Sequence, residues 1–280
     1  MSIKFTKMQG IGNDYIYINC FDGIPDNIPE LSRAMSPRHF SVGSDGIILI
    51  CKSDIADAKM RIFNADGSEA RMCGNGIRCV GKYLFDYGLV NKTEITVDTL
   101  SGIKYLTLFP ENGKVRFVSV KMGKADFSPS VIPLSSGSEY IDAPVTVNGK
   151  EWKITALATG NPHAVTFVDD VDSLDLEKIG PMFENHSLFP DRVNTEFVKI
   201  IGENVLQMRV WERGSGETFA CGTGACAVAS AAVKLGICKP DTEINIKLKG
   251  GDLFITVSPD FDIIMKGPAV TVYDGEWVNN

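Results

Sequence analysis

Histidine is scarce in this sequence, and basic side chains are outnumbered. Among 280 residues there are three histidines, and 28 lysines and arginines stand against 35 acidic residues, a formal charge of −7. A nucleic-acid partner wants a basic face, so that class is set aside. The acidic residues are scattered and form no tail. No C-x-x-C occurs, which together with the few histidines speaks against a zinc site. No G-x-G-x-x-G follows a strand and opens a helix, so no dinucleotide-binding crossover is expected. The longest stretch that could suggest a membrane span lies around Ala220–Val233, far short of the roughly 20 apolar residues a span needs. The opening MSIKFTKMQG lacks the apolar segment of a signal peptide. A cytoplasmic protein with no nucleic-acid and no membrane partner is the expectation. The seven cysteines, an odd number without a secretion signal, are then free thiols and not a disulfide framework.

Hydrophobic residues make up 44% and charged residues 22%, enough apolar side chain for a sizeable core. Period-2 or continuous apolar patterns predict strands at Lys4–Met8, Tyr15–Ile18, Gly46–Cys51, Ala58–Phe63, Glu94–Thr99 and Lys104–Phe109. Further strands are predicted at Pro144–Val147, Trp152–Leu157, Ala164–Val168, Glu196–Ile201, Leu206–Trp211, Glu243–Leu248, Leu253–Val257 and Ile263–Lys266. Asn112-Gly113 and Asn148-Gly149 read as hairpin turns, since both residue types tolerate positive φ. Only two helices are clear, Asn75–Tyr87 and Thr223–Leu235, stopped by Gly88 and Gly236.

The chain repeats itself. Residues 60–88 align without gaps to 208–236, an offset of 148 that carries Cys73 onto Cys221. Eight of the 29 positions are identical: Met60/208, Arg61/209, Glu69/217, Cys73/221, Gly74/222, Gly76/224, Val80/228 and Gly88/236. Chance would give about two. The same offset takes Gly12-Asn13 onto Gly160-Asn161. Thr223–Leu235 is apolar nearly all round, the pattern of a fully enclosed helix, and its counterpart adds one polar stripe, Arg78, Lys82 and Asp86. The fold expected is α/β (α+β): two pseudo-twofold-related, strand-rich domains, each a curved sheet wrapped around a central helix. The boundaries expected are 1–118 plus 268–280 and 119–267, with a shared cleft as the active site.

Both halves present a strand, a glycine-containing loop, Cys-Gly-(Asn/Thr)-Gly and a helix. Cys73 and Cys221 therefore sit at helix N-termini, where unpaired N–H groups and the helix dipole are expected to lower a thiol's pKa. The following glycine allows a ligand's close approach, and the free N–H groups suit a carboxylate. Two such caps across one cleft fit inversion of a stereocentre, with a base on one face and an acid on the other. The caps would also stabilise charge building on the carboxylate. A dithiol redox protein is the alternative from a different class, but it predicts a close, usually C-x-x-C, pair and leaves two anion-binding caps without a purpose. Cys20, Cys51, Cys79, Cys226 and Cys238 read as small buried hydrophobes.

MCGNGIRC at 72–79, ACGTGA at 220–225, GNDY at 12–15, GNPHAV at 160–165, FNADGSEA at 63–70, RVNTEFV at 192–198 and WERGSGET at 211–218 resemble the signatures of the diaminopimelate epimerase family, in family order over essentially the whole chain. Relatives with proline-racemase activity share the two-cysteine plan but typically carry CGH where this chain has Cys73-Gly74-Asn75, and the phenazine-type relatives lack the cysteine pair. The resemblance implies an isomerase that interconverts LL- and meso-diaminopimelate with no cofactor, neither pyridoxal phosphate nor metal, in lysine and cell-wall precursor synthesis, and a homodimer. It implies Cys73 and Cys221 as the acid/base pair. Gly74, Asn75, Gly222 and Thr223 would contact the carboxylate at the reacting carbon. Asn13, Asn64, Asn161, Asn194, Glu212 and Arg213 would hold the substrate's ends, with Arg213 facing the distal carboxylate. His163 and Glu212 would tune the thiols. A proline-racemase-like activity is the runner-up.

Taken singly these residues have ordinary readings: an Asn in a glycine-rich loop is a turn residue, His163 caps a strand, and Glu212-Arg213 is a surface pair. Asp14, Asp45 and Asp66 read as turn braces. One departure stands out: many family members carry Gln in the segment where this chain has Gly43-Ser44-Asp45-Gly46.

Overall fold

Alternating apolar residues drive the first strands to pair in sequence. In the computed structural model, which describes residues 2–278, the chain divides into two units, residues 2–121 with 266–278 and residues 122–265. The first unit opens with β1 (Ser2–Gly10) and β2 (Asn13–Cys20), an antiparallel pair, followed by helix α1 (Ile28–Met35). The continuous apolar run GIILIC forms β3 (Gly46–Cys51), buried at every position because it lies between parallel β2 and antiparallel β4 (Ala58–Asn64). After the short β5 (Glu69–Ala70) comes helix α2 (Gly74–Asp86). β6 (Glu94–Asp98) pairs parallel to β4, and β7 (Lys104–Glu111) and β8 (Lys114–Lys124) follow as antiparallel neighbours.

Helix α2 packs against β1, β2 and β7, and its polar stripe is enclosed with the rest. Arg78 is fully buried and donates to the carbonyls of Pro268 and Gly74, each at 3.2 Å, and to Asn75 Oδ1 at 3.0 Å. Lys82 pairs with Asp86 at 2.6 Å and donates to the Val115 carbonyl. Buried charges persist only when partnered in this way.

The second unit repeats the plan. β9 (Ala143–Val147), β10 (Lys150–Ala158) and β11 (Pro162–Phe167) form an antiparallel run, and α3 (Leu176–Glu184) follows. β12 (Asn194–Gly202) lies parallel to β11 and antiparallel to β13 (Val205–Glu212), after which come β14 (Gly216–Glu217) and helix α4 (Gly222–Lys234). β15 (Glu243–Leu248) pairs parallel to β13, and β16 (Gly251–Val257) antiparallel to β15. α4 packs against β10, β11, β12, β15 and β16, so the alanine-rich helix is covered by the sheet that curves around it. β17 (Asp262–Pro268) leads back to the first unit, where β18 (Val270–Val278) pairs antiparallel to β1 with a bulge at Lys7/Met8. Among the described residues no helix is long and apolar enough to cross a membrane.

α2 and α4 begin and end 148 residues apart, as does the sequence repeat. The identical residues have identical tasks. Arg61 forks onto Glu69 across β4 and β5, and Arg209 onto Glu217 across β13 and β14, both at 2.7 Å through Nε. Gly88 and Gly236 take φ of 70° and 72° after the two helices.

Five elements go beyond the sequence expectation: α1, α3, β18 and the two-residue strands β5 and β14. α1 is a two-turn helix carrying Pro29 in its first turn, and α3 holds Gly180 and Pro181, so neither has a long helical period to read. In β18 the polar run at Asp274-Gly275 interrupts the alternation, and a Cβ at Gly275 would lie 2.6 Å from Phe5 Cζ.

Gly180 shows how packing overrides propensity. A Cβ there would lie 2.2 to 2.5 Å from the indole of Trp211, which is buried and donates through Nε1 to Glu184 at 2.7 Å. Helix propensity alone favours Ala over Gly by about 1 kcal/mol. We expect Gly180→Ala instead to lose about 2 kcal/mol, since the ring must shift in a close-packed site. A urea midpoint at or above that of the parent would show that the ring moves freely.

Candidate active site

In both units a cysteine replaces the oxygen-bearing residue that usually caps a helix. Cys73 is extended at φ −136° and ψ 117°, and its sulfur accepts the Gly76 N–H at 3.3 Å. Cys221, at φ −120° and ψ 108°, accepts the Gly224 N–H at the same distance. The third residue of each helix is glycine by necessity. A Cβ at Gly76 would lie 2.7 Å from Ile48 Cδ1, and one at Gly224 the same distance from Glu196 Oε1. The N–H groups of Gly74 and Asn75, and of Gly222 and Thr223, belong to first turns that offer no intrahelical acceptor.

In the first unit the Cys73 thiol donates to Asn13 Oδ1 at 3.2 Å. Asn13 is fixed from behind, its amide donating to Asp45 Oδ2 at 2.7 Å, and the same oxygen accepts the Asp14 N–H. Arg38 bridges Asp14 and Asp45 at 2.6 and 2.9 Å, and Lys7 pairs with Asp14 and donates to the Gly43 carbonyl. Burial raises the Asp14 carboxyl, but Arg38 and Lys7 outweigh it and hold the group below its ordinary value. Asn75 is buried against Arg78, and Asn64 donates to Ser68 Oγ at 3.1 Å. Asp66 accepts from the Ser68 backbone and hydroxyl. Gly46 has φ 150°, and a Cβ there would lie 2.1 Å from the Phe63 carbonyl oxygen. No glutamine fits at that position, and the polar group nearest to it in sequence is Asp45, which holds Asn13.

The second unit surrounds its thiol with charge. Register places Asn194 beside His163, and Glu196 opposite Val210, so His163, Asn194, Glu196 and Glu212 share one face of β11, β12 and β13. His163 is fully buried, with Nδ1 2.6 Å from Glu196 Oε1 and Nε2 3.0 Å from Asn161 Oδ1. Glu212 accepts the Thr218 hydroxyl at 2.5 Å and a hydrogen bond from Cys221. Burial raises the Glu212 carboxyl, and the Glu196 charge adds to it against the pull of Thr218, Cys221 and His163. Asn194 uses both ends of its amide internally, donating to the Pro162 carbonyl and accepting the Arg213 N–H, each at 2.9 Å. The Arg213 guanidinium donates to the Asp191 carbonyl at 2.8 Å and, among the described residues, forms no ion pair with a carboxylate. Thr223 lies 3.5 Å from the Cys221 sulfur through its hydroxyl, and its carbonyl accepts from Thr159.

The expectation of a lowered pKa fails at Cys221. Burial first, then the charges of Glu212 and Glu196, push this thiol well above its ordinary value, and the hydrogen bonds from Thr223 and Gly224 do not offset them. A helix cap lowers a thiol only where solvent and neighbouring charge allow it. Burial likewise pushes the Cys79 thiol up to about 11, in the middle of α2.

The sequence reading missed Glu196, Thr218 and Arg38, and it took Asp45 as a turn brace without its link to Asn13. Glu196 sits in an apolar strand pattern as one acidic residue, and only its register next to His163 exposes it. Among the described residues, no three His, Cys, Asp or Glu side chains are grouped to hold a metal ion.

Solved structures similar to this one include a phenazine biosynthesis protein of the PhzF family from Bacillus anthracis, with a TM-score of 0.72 at 20% identity over 100% of both chains. A probable proline racemase from Agrobacterium radiobacter K84 has a TM-score of 0.70 at 14% identity, covering 99% of this chain and 93% of that one. At such identities they share the fold. Sequence similarity is far closer to the diaminopimelate epimerases of Acetivibrio thermocellus, 53% identical over 98% of both chains, and Methanococcus maripaludis, 51% identical over 98% of this chain and 99% of that one. The diaminopimelate epimerase of Bacillus licheniformis is 46% identical over 99% of this chain and 98% of its own. The family model described as diaminopimelate epimerase matches residues 5–128 and 155–272, taking in both cysteine caps, and the chain therefore belongs to that family.

Proposed function

We propose that the protein interconverts LL- and meso-diaminopimelate, with Cys73 and Cys221 acting on opposite faces of one α-carbon. The observation that carries the reading is the pair of cysteine N-caps, built alike at residues 148 apart in a chain about 50% identical to diaminopimelate epimerases. The reaction is symmetric at the carbon, and so are the caps.

Cys221, held protonated by burial and two carboxylates, starts as the acid. In that half-reaction the Cys73 thiolate takes the α-proton, and the C–H electron pair passes into the substrate carboxylate. The Cys221 thiol then returns a proton to the opposite face, leaving a thiol at 73 and a thiolate at 221. First-turn N–H groups at Gly74, Asn75, Gly222 and Thr223 are the donors suited to the charge developing on that carboxylate. Asn13, Asn64, Asn161, Asn194 and Glu212 hold the substrate's ends directly or through neighbours. Arg213, a guanidinium with no carboxylate partner among the described residues, faces the distal carboxylate. His163 and Glu212 bias the thiols. The same reading puts the reaction in the cytoplasm, in lysine and peptidoglycan precursor synthesis, carried out by a homodimer without a cofactor.

Single stereoisomers of diaminopimelate and of proline, incubated separately and resolved by chiral chromatography, test the substrate. Diaminopimelate should epimerise; turnover of proline alone would replace this reading with a racemase. Cys73→Ala and Cys221→Ala should each abolish epimerisation, while Cys79→Ala and Cys226→Ala should lower stability by about 1–2 kcal/mol and leave turnover intact. Near-normal turnover by Cys73→Ala would remove the two-base mechanism.

Arg213→Ala should lower kcat/KM by at least about 100-fold, the effect of leaving a buried carboxylate without its countercharge. A change within a factor of three would put Arg213 outside the site.

In D2O the returned proton comes from a thiol already exchanged with solvent. Product at low conversion should carry deuterium at the inverted carbon while recovered substrate stays largely protonated, as read by mass spectrometry of each stereoisomer. Unlabelled product would mean one base swinging between both faces.

A further inference from the structure

The two units build the same packing contact from different chemistry. In the first, Ile48 on β3 presses its Cδ1 against Gly76 of the cysteine-capped helix. Its equivalent 148 residues on is Glu196, on β12, whose Oε1 touches Gly224 in the same way. The fold therefore accepts isoleucine at this place, and a fully buried carboxylate is not required to build it. Burying one is costly unless it does something else. The neighbours change in parallel: Tyr15 becomes His163, and Asn64 becomes Glu212.

Glu196 also has capacity to spare. Oε1 takes the His163 ring at 2.6 Å, while the buried Oε2 has no hydrogen-bond partner among the described residues. A carboxylate only accepts, so this contact puts the proton of His163 on Nδ1; Nε2 is then an acceptor, and the Asn161 amide 3.0 Å away serves it by turning its NH2 group, in place of Oδ1, toward the ring. A Cβ placed on Gly224 would lie 2.7 Å from Oε1 and 3.2 Å from the Cys221 sulfur, so carboxylate and thiol border the same small space.

We propose that Glu196 is a positioning residue for the epimerisation: its buried charge keeps Cys221 in the thiol form in the free enzyme and fixes the tautomer of His163. The inference rests on the two-thiol reading above. The titratable and charged groups on the elements packed around its strand are His163 on β11, Glu212 and Arg209 on β13, Cys221, Cys226 and Lys234 at and along α4, and Glu177, Lys178 and Glu184 on α3, whose Glu184 is engaged by Trp211 on the face opposite Glu196. Arg209 is engaged by Glu217, and its register puts it on the opposite face of the sheet from Glu196. The charges left to act on Cys221 are Glu212 and Glu196, and Glu212 keeps its place when Glu196 is replaced.

The test is the pH dependence of Cys221 alkylation by iodoacetamide, followed by peptide mapping with Cys73 as the internal reference. Glu196→Gln keeps size and an acceptor for His163 but removes the charge. Its Cys221 midpoint should fall by at least about half a pH unit, so that alkylation below the midpoint runs at least about threefold faster, while the Cys73 profile stays in place. Glu196→Ile, the residue the first unit uses, should give the same shift with the packing preserved. Glu196→Asp, which retains the charge, should stay near the parent. In the unsubstituted enzyme, 15N spectra of the imidazole should show His163 protonated at Nδ1. An unchanged Cys221 profile in folded Glu196→Gln or Glu196→Ile, or a His163 found protonated only at Nε2, would overturn the proposal. Alkylation needs no substrate, so these outcomes are independent of whether diaminopimelate is turned over.

Discussion

A sulfur atom that caps a buried helix is the constraint on which the site depends. For Cys73 or Cys221 to accept the N–H three residues on, the backbone at the cysteine is extended, and the third helical residue is glycine because Ile48 or Glu196 fills the space a side chain there would take. The helix behind must then be held still, and each unit does so by curving its sheet around it. β3 and β12 each lie between one parallel and one antiparallel neighbour, and the Arg–Glu forks pin the short strands that lead into each cap. The thiol's position is thus set by packing far from it.

Duplication supplies two such caps, and divergence around them makes them chemically unlike. On the first, the thiol meets a neutral amide, Asn13, itself braced by a surface ion network of Asp45, Arg38, Asp14 and Lys7. On the second, two carboxylates and an imidazole stand against the sulfur's helix in a site with almost no solvent. Water would screen those charges, and burial removes the screening, so a position that would be mildly acidic on an open helix becomes a strongly held thiol.

The strand pattern, the two long helices and the repeat were legible because they depend on periodicity and identity along the chain. α1, α3 and β18 were not, because they are short or interrupted and are stabilised by what they pack on: Gly180 by the face of Trp211, Gly275 by the ring of Phe5. The cysteines, their glycines and the polar residues of the flanking loops were readable as candidates because the same rare motif occurs twice.

What the sequence determined by itself was the presence of two equivalent Cys-Gly-x-Gly helix starts, since an N-cap is local and the motif recurs, whereas the need for the second glycine comes from Ile48 and Glu196 on other strands. Only the tertiary structure decided their ionisation and their supporting partners. Glu196 reaches His163 through strand register, Asp45 reaches Asn13 across 32 residues, and Arg78 is buried by an arm of chain 190 residues away. Desolvation and charge act through space, so the prediction of a lowered thiol at Cys221, sound for a helix end in water, reversed once the sheet closed over it.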